Sequence, residues 1–263
     1  MSFVEIEYRE SAKSMTMPSL QSHDYYEIYC LTEGVRDIFI ENRVYTLEAP
    51  AIFVIPPFVM HKSAGGADKR INLYISKSSL DQSEEKFLDE CAKKSPFLPL
   101  GDRSELFFSL LNTAAAGGDA QSSERKYAAS ISKVLIYLLR SCKISNVEYK
   151  FKERGSSASD DFVMRVVEYI NCNYRENITL KLLSEEFFVS KNTLCKRFSD
   201  VMGCSVMEYT QDLRLNHAKT LLLNTNLPIE KISARCGYSS LNYFSLIFSR
   251  KVGLSPLGYR KKK

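Results

Sequence analysis

The chain has 263 residues, 44% of them hydrophobic and 25% charged, which is an ordinary globular composition and enough length for two domains that each bury a core. No apolar run reaches the roughly 18 to 20 residues of a membrane helix and the N-terminus lacks a basic-then-apolar leader, so a membrane partner is excluded and the cytoplasm is the expected compartment. The net charge of +5 is uneven: residues 161–263 carry 16 Lys and Arg against 9 Asp and Glu, or +7, which leaves 20 against 22, or −2, elsewhere. Only the C-terminal part is therefore expected to meet a polyanion. Seven cysteines, an odd number with no CxxC pair, read as free and mostly buried thiols rather than as a zinc site.

Residues 24–76 read as short strands of a small sandwich or barrel. Segments 25–31 and 35–40 are rich in β-formers, with Glu33-Gly34 as a turn between them. Residues 41–43 form a second turn into a strand at 44–47. An apolar strand at 51–55 is stopped by Pro56-Pro57, and 71–75 is another. Because side chains alternate along a strand, His23, Tyr25, Glu27 and Tyr29 share a face, and with His61 they make a wall suited to a small polar ligand.

From about residue 81 the period becomes helical. Phe87, Leu88, Cys91 and Ala92 fall on one stripe, and Leu106, Phe107, Leu110 and Leu111 on another. A loop at 116–119 precedes a strong helix at 124–142, whose face of Tyr127, Ile131, Leu135, Leu138 and Leu139 is wide enough to pack on the barrel or on a second subunit. Dimerisation chiefly through Ile131, Leu135 and Leu138 is the expectation. The polar stretch 151–160, with Gly155-Ser156-Ser157, reads as a linker between a domain at 1–150 and another at 161–263.

The second domain repeats itself. Leu180, Leu183, Ser184, Val189 and Ser190 recur 49 positions later as Ile229, Ile232, Ser233, Tyr238 and Ser239. After one inserted residue, Leu194, Phe198, Gly203, Ser205 and Tyr209 recur 50 positions later as Phe244, Phe248, Gly253, Ser255 and Tyr259. Each copy reads as a helix-turn-helix, at 180–202 and 229–252, whose second helix enters a DNA major groove. Ser190 caps the first recognition helix, and Lys191, Asn192, Cys195, Lys196 and Asp200 face away from Leu194 and Phe198. Asn reads adenine, and Lys reads guanine or meets phosphate. In the second copy Pro228 starts the supporting helix, Gly237 takes the turn, and Ser239 and Ser240 begin the recognition helix. Leu241, Asn242, Ser245, Leu246 and Arg250 lie outward there, with Arg250 and Lys251 placed for phosphate. A continuous helix at 205–223 joins the copies, with Val206, Tyr209, Leu213, Ala218, Leu221 and Leu222 on its apolar side.

Arg214-Leu215, Ala218, Leu221-Leu222, Ile229, Ile232, Cys236-Gly237-Tyr238, Tyr243-Phe244, Phe248, Gly253, Ser255-Pro256 and Tyr259-Arg260 together resemble the AraC/XylS family of bacterial transcription regulators. The resemblance implies a seven-helix DNA-binding domain that usually activates transcription, with base contacts from Asn192, Cys195 and Lys196, and from Leu241, Asn242, Ser245 and Leu246. The family often has Arg where Leu246 stands, and Cys195 is an unusual base reader. His23, Tyr25, Glu27, Gly34, Pro56 and His61 resemble the cupin-type barrel that many members place first. Metal-binding cupins use a His-x-His pair, a Glu and a later His. Tyr25 stands for one His of the pair, which leaves His23, Glu27 and His61 as candidate ligands, and no metal or other cofactor is expected.

The expected architecture is α+β: a cupin-like β-barrel with a helical dimerisation segment, then an all-α DNA-binding domain with two helix-turn-helix motifs. The expected function is a sequence-specific regulator, in the activating sense, that responds to a small-molecule effector. Its partners are double-stranded promoter DNA, RNA polymerase and a second copy of the chain. A ligand-independent regulator whose barrel only dimerises is the alternative, followed by a metal-dependent cupin enzyme fused to a DNA-binding domain. No nucleophile triad, Gly-rich phosphate loop or paired-carboxylate motif supports an enzyme.

Overall fold

The computed structural model describes residues 3–11, 15–16, 20–40, 43–116, 124–145 and 158–261. The chain divides into two compact units, one of residues 1–17, 23–39 and 44–154, the other of residues 18–22, 40–43 and 155–263.

The first unit is built on six strands: β1 (Val4–Ser11), β2 (Met15–Thr16), β3 (Tyr25–Ile40), β4 (Arg43–Glu48), β5 (Ala51–Ile55) and β6 (His61–Ser76). They form one sheet in the order β1-β6-β3-β4, with β2 also on β6 and β5 also on β3. Among the described residues that path ends at β1 and β4, so the sheet is not closed into the barrel that the cupin resemblance implies. Its antiparallel register runs from Val4↔Ile75 to Ser11↔Asp68 between β1 and β6, and from Glu27↔Ile55 to Leu31↔Ala51 between β3 and β5.

Alternation then sorts the side chains. Tyr26, Ile28, Cys30, Ile52, Val54, Ile71, Leu73 and Ile75 join a core with α1 (Gln82–Lys94), α2 (Asp102–Ala116) and α3 (Glu124–Ser141). Asp81 and Glu84 start α1 with a reciprocal capping box. Glu27, Tyr29, Arg70 and Asn72 belong to the opposite face, and they are buried too.

Several expectations change here. Glu33-Gly34 is a kink inside β3 rather than a turn: Gly34 has φ +90°, and a Cβ there would lie 2.3 Å from the Ala67 carbonyl oxygen. Strand β6 starts ten residues before 71, because alternating polar residues such as Asp68 and Arg70 turn inward. Strand β1, which alternates Val4, Ile6 and Tyr8 with Glu5, Glu7 and Arg9, adds to the strands expected from residue 24 onward. Strands β7 (Leu98–Leu100) and β8 (Lys143–Ser145), which pair with each other, are likewise additions. Leu106 is exposed, while Phe107 and Leu111 are buried. Only three of the seven cysteines, Cys30, Cys91 and Cys236, are buried, and all seven are free.

The stripe on α3 is also reassigned. Leu135 and Leu139 are fully buried, Leu138 is nearly so, and Ile131 packs against the same core. The apolar face is therefore satisfied by its own sheet and by α2, and the outward positions are Val134 and Tyr137. Tyr127 lies outside the residues whose side chains are described, as does the expected loop 116–119.

The second unit has seven helices among the described residues: α4 (Ala158–Asn173), α5 (Leu180–Glu186), α6 (Lys191–Met202), α7 (Val206–Asn224), α8 (Ile229–Arg235), α9 (Leu241–Val252) and α10 (Pro256–Arg260). Helix α4 begins within the stretch expected as linker, of which residues 151–157 lie outside the described residues. The duplication is physical. Phe198 meets Tyr209 edge-on at 5.8 Å, and fifty residues later Phe248 meets Tyr259 edge-on at 5.5 Å. Gly203 and Gly253 end α6 and α9 in the left-handed conformation at φ 73° and 78°, and Ser205 and Ser255 cap the helices that follow.

Helix α7 packs against α6, α8 and α10, so it is buried on more than one side. Its buried set is Val206, Tyr209, Thr210, Leu215, Asn216, Ala218 and Leu222, while the expected Leu213 and Leu221 are only half-buried. The buried Thr210 hydroxyl donates to the Val206 carbonyl at 2.9 Å, which removes the penalty of an unpaired polar group.

Candidate nucleic-acid interface and sensor site

Each recognition helix is aimed by its own turn. After α5, Phe188 adopts φ 52° and the Val189 N–H reaches the Ser184 carbonyl at 3.0 Å. After α8, Gly237 adopts φ 81° and the Tyr238 N–H reaches the Ser233 carbonyl at 3.1 Å. The 49-residue offset therefore holds through the turn, and the inserted residue is Ser239. The helix cap that corresponds to Ser190 is Ser240, one position beyond the sequence match. Ser190 Oγ accepts from the Thr193 N–H at 3.1 Å, and Ser240 Oγ from the Tyr243 N–H at 3.3 Å.

On α6, Leu194 and Phe198 are fully buried while Lys191, Asn192 and Lys196 are exposed and Cys195 is half-buried. On α9, Phe244 and Phe248 are fully buried, Leu241, Asn242, Leu246 and Arg250 are exposed, and Ser245 is half-buried. None of these expected interface residues is buried. Lys251 is also engaged with the fold, 3.1 Å from Asp212 on α7. Tyr243, unmarked in the sequence as a site, is 52% exposed on the first turn of α9, where an aromatic at a helix start facing away from the core was the available signal.

The loop after α4 holds the second module in place. Arg214 of α7 donates to the Tyr174 and Glu176 carbonyls, both at 2.7 Å, and its guanidinium lies 5.6 Å from the Tyr238 ring centre. A Cβ on Gly237 would lie 2.8 Å from both the Tyr174 and Arg175 carbonyl oxygens. The first module is braced from α4 itself, where Arg197 lies over Phe162 and Tyr209 donates to Asn171 at 2.9 Å.

In the first unit, His23, Glu27 and His61 come together. His23 Nε2 is 3.1 Å and His61 Nε2 3.5 Å from Glu27 Oε2, and Asn72 Nδ2 donates to Glu27 Oε1 at 3.0 Å. Burial raises the Glu27 carboxyl, but the hydrogen bonds and charge of the two histidines outweigh it and hold it at about 2. Tyr25 stacks on the His23 ring at 3.9 Å. His23 precedes β3, which starts at Tyr25, so the turn before the strand places it.

Tyr29 sits apart from this group, beside Arg70, whose guanidinium is 5.9 Å from its ring. Burial pushes its hydroxyl up to about 12. There a second polar group, unread in the sequence, lies buried: Asp68 pairs with Arg36 at 3.3 Å and also with Arg70, and Arg36 donates to Ser63 at 3.1 Å. The signal available was the alternation of Asp68, Arg70 and Asn72 with Ile71 and Leu73.

Two helix-turn-helix motifs, in a chain that also holds a β-rich unit with a polar buried face, define a DNA-binding regulator. The sequence matches the family described as AraC-like ligand binding domain over residues 8–139 and the helix-turn-helix domain family over residues 183–262. It is 27% identical over 240 residues to the uncharacterized HTH-type transcriptional regulator YdiP of Escherichia coli (strain K12), covering 90% of this chain and 78% of that one. It is 26% identical over 243 residues to the uncharacterized HTH-type transcriptional regulator YfiF of Bacillus subtilis (strain 168), covering 90% and 77%. Over 80 residues it is 40% identical to the HTH-type transcriptional activator RhaR of Yersinia pseudotuberculosis serotype O:1b, 28% of each chain. The chain belongs to the AraC/XylS family of transcription regulators, and it is a regulator rather than an enzyme. No helix among the described residues is long and apolar enough to cross a membrane.

Proposed function

We propose that the chain is a cytoplasmic, promoter-binding activator whose two recognition helices read one asymmetric site under control of a small effector. The observation that carries this reading is the pair of matching helices, α6 and α9, tied to one helix: α6 packs on α7, and α9 shares a core cluster with α7 and pairs Lys251 with its Asp212. In it, Asn192, Cys195 and Lys196 read one element and Leu241, Asn242, Ser245 and Leu246 the other. Ser190 and Ser240 act through the caps, and Lys191 and Arg250 meet phosphate. The effector is held on the polar face around His23, Tyr25, Glu27 and His61, with Tyr29 deeper along the same face. The name of the RhaR relative supports activation, and RNA polymerase is the partner that activation requires. Homodimer contacts move from the buried Leu135 to the outward Val134 and Tyr137 of α3.

The test is a binding titration of the full chain on its genomic site at several salt concentrations. Log affinity should fall linearly and steeply with log salt, because each neutralised phosphate releases counterion. Lys196→Ala should weaken specific binding by about 1–3 kcal/mol and relax preference at one base position. A uniform loss across all DNA sequences instead reassigns Lys196 to phosphate, and a flat salt dependence overturns the interface.

A further inference from the structure

We propose that His23, Glu27 and His61 form a site for one divalent transition-metal ion, which revises the expectation of a site without metal. The three residues come from the turn before β3, from β3 and from the start of β6, and their ligand atoms all lie within 4.8 Å of one another. Ligand atoms held at about 2.0–2.1 Å from an ion sit about 3.0 Å apart at right angles and about 3.4 Å apart in a tetrahedron. The separations from Glu27 Oε2 are 3.1 Å to His23 Nε2, within that interval, and 3.5 Å to His61 Nε2, about 0.1 Å beyond it.

The orientation of the rings points the same way. His23 Nδ1 lies 2.8 Å from the Tyr25 carbonyl and His61 Nδ1 lies 3.0 Å from the Val59 carbonyl. A carbonyl oxygen only accepts, so each Nδ1 directs a proton at its carbonyl, and each ring thereby turns its Nε2 toward Glu27. Two imidazole nitrogens and a carboxylate oxygen thus converge on one place, and each is a ligand atom for such a cation. The supporting contacts are those of a ligating shell: a carbonyl behind each imidazole, and Asn72, itself buried, holding the other Glu27 oxygen. Stacking of His23 on Tyr25 and the edge contact of His23 with His61 at 4.9 Å fix the rings.

Two imidazoles and one carboxylate suit zinc, iron(II), cobalt(II) or nickel(II), whereas calcium and magnesium prefer all-oxygen sites. Three protein ligands leave at least one position open for water or an oxygen-bearing molecule. The proposal deepens the effector reading by naming the ligand class at that site, and it rests on that reading for any link to DNA binding.

The experiment strips the untagged full chain with chelator and titrates it with cobalt(II), read by visible absorption and by proton NMR. The expected result is one equivalent bound, no thiolate charge-transfer band, and two strongly shifted imidazole N–H signals from a chain that has three histidines. Glu27→Gln and His61→Gln should weaken binding at least 100-fold, and Asn72→Ala by about 10–100-fold. Wild-type protein without shifted ring N–H signals, or with a thiolate band, overturns the site whether or not the variants fold. If cobalt binds as expected but affinity for the genomic site is unchanged, the metal site stands and the effector reading fails. If cobalt does not bind while an organic ligand raises the melting temperature, the metal proposal fails and the effector reading stands.

Discussion

Gly237→Ala is expected to destabilise the second unit by about 2–5 kcal/mol, lowering its melting temperature and abolishing DNA binding at temperatures where the wild type is active. Two costs add. A side chain in the left-handed region costs about 1–2 kcal/mol. The new Cβ also meets the Tyr174 and Arg175 carbonyl oxygens at 2.8 Å and Arg175 Cα at 2.9 Å, all of it backbone, so the loop after α4 must move. Arg214 grips the carbonyls of that same loop, so the loop cannot shift without loosening α7. Phe188 is the internal control. It occupies the equivalent turn position of the first copy at φ 52°, yet it is 94% exposed, so its side chain escapes into solvent. Thermal melting of Gly237→Ala within a degree of wild type would show that the turn and the loop do not bear on each other as described.

The second large effect is expected from Asp68→Asn. Arg36 is 1% exposed and Arg70 5%, and both pair with the carboxylate of Asp68, itself 3% exposed. Removing this shared counter-charge takes a buried ionic partner from both guanidinium groups, and breaking a buried pair in this way costs about 3–5 kcal/mol. Urea unfolding at neutral pH measures it directly. Lys69→Ala, which removes the exposed partner of Glu33, should leave the midpoint where it is. Equal midpoints for Asp68→Asn and Lys69→Ala contradict the buried cluster.

The two units differ in how much of them can be read from the chain alone. In the second, the contacts that matter are local or repeat at fixed spacing: a helix cap three residues from its N–H, Leu194 four from Phe198, and Phe198 fifty from Phe248. Periodicity and duplication carry that information, so α5 to α9 fall within a residue or so of expectation. The exception, Ser240 for Ser190, arises because the inserted residue falls in the turn, where sequence similarity is weakest. In the first unit the polar groups assemble from distant places, Glu27 with Asn72 and Arg36 with Asp68 and Arg70. No local pattern announces such partners, and charged residues on a strand look like solvent-facing ones until pairing shows them buried. Gly34 misled for a related reason: a glycine signals an unusual backbone, and only the crossing of β6 shows that the need is close approach rather than a turn.

In the proposed function two different readers work together through one helix, α7. Helix α7 has 19 residues and so is about 28 Å long, which together with the width of the modules approaches the roughly 34 Å of one DNA turn. The direct test measures affinity of the full chain for its footprinted site with and without about five base pairs inserted between the two elements. That insertion turns one major groove to the far side of the duplex, and affinity should fall toward the non-specific level, a loss of about 1,000-fold or more. Unchanged affinity for the lengthened site would mean that only one module reads DNA and that α7 does not set a spacing.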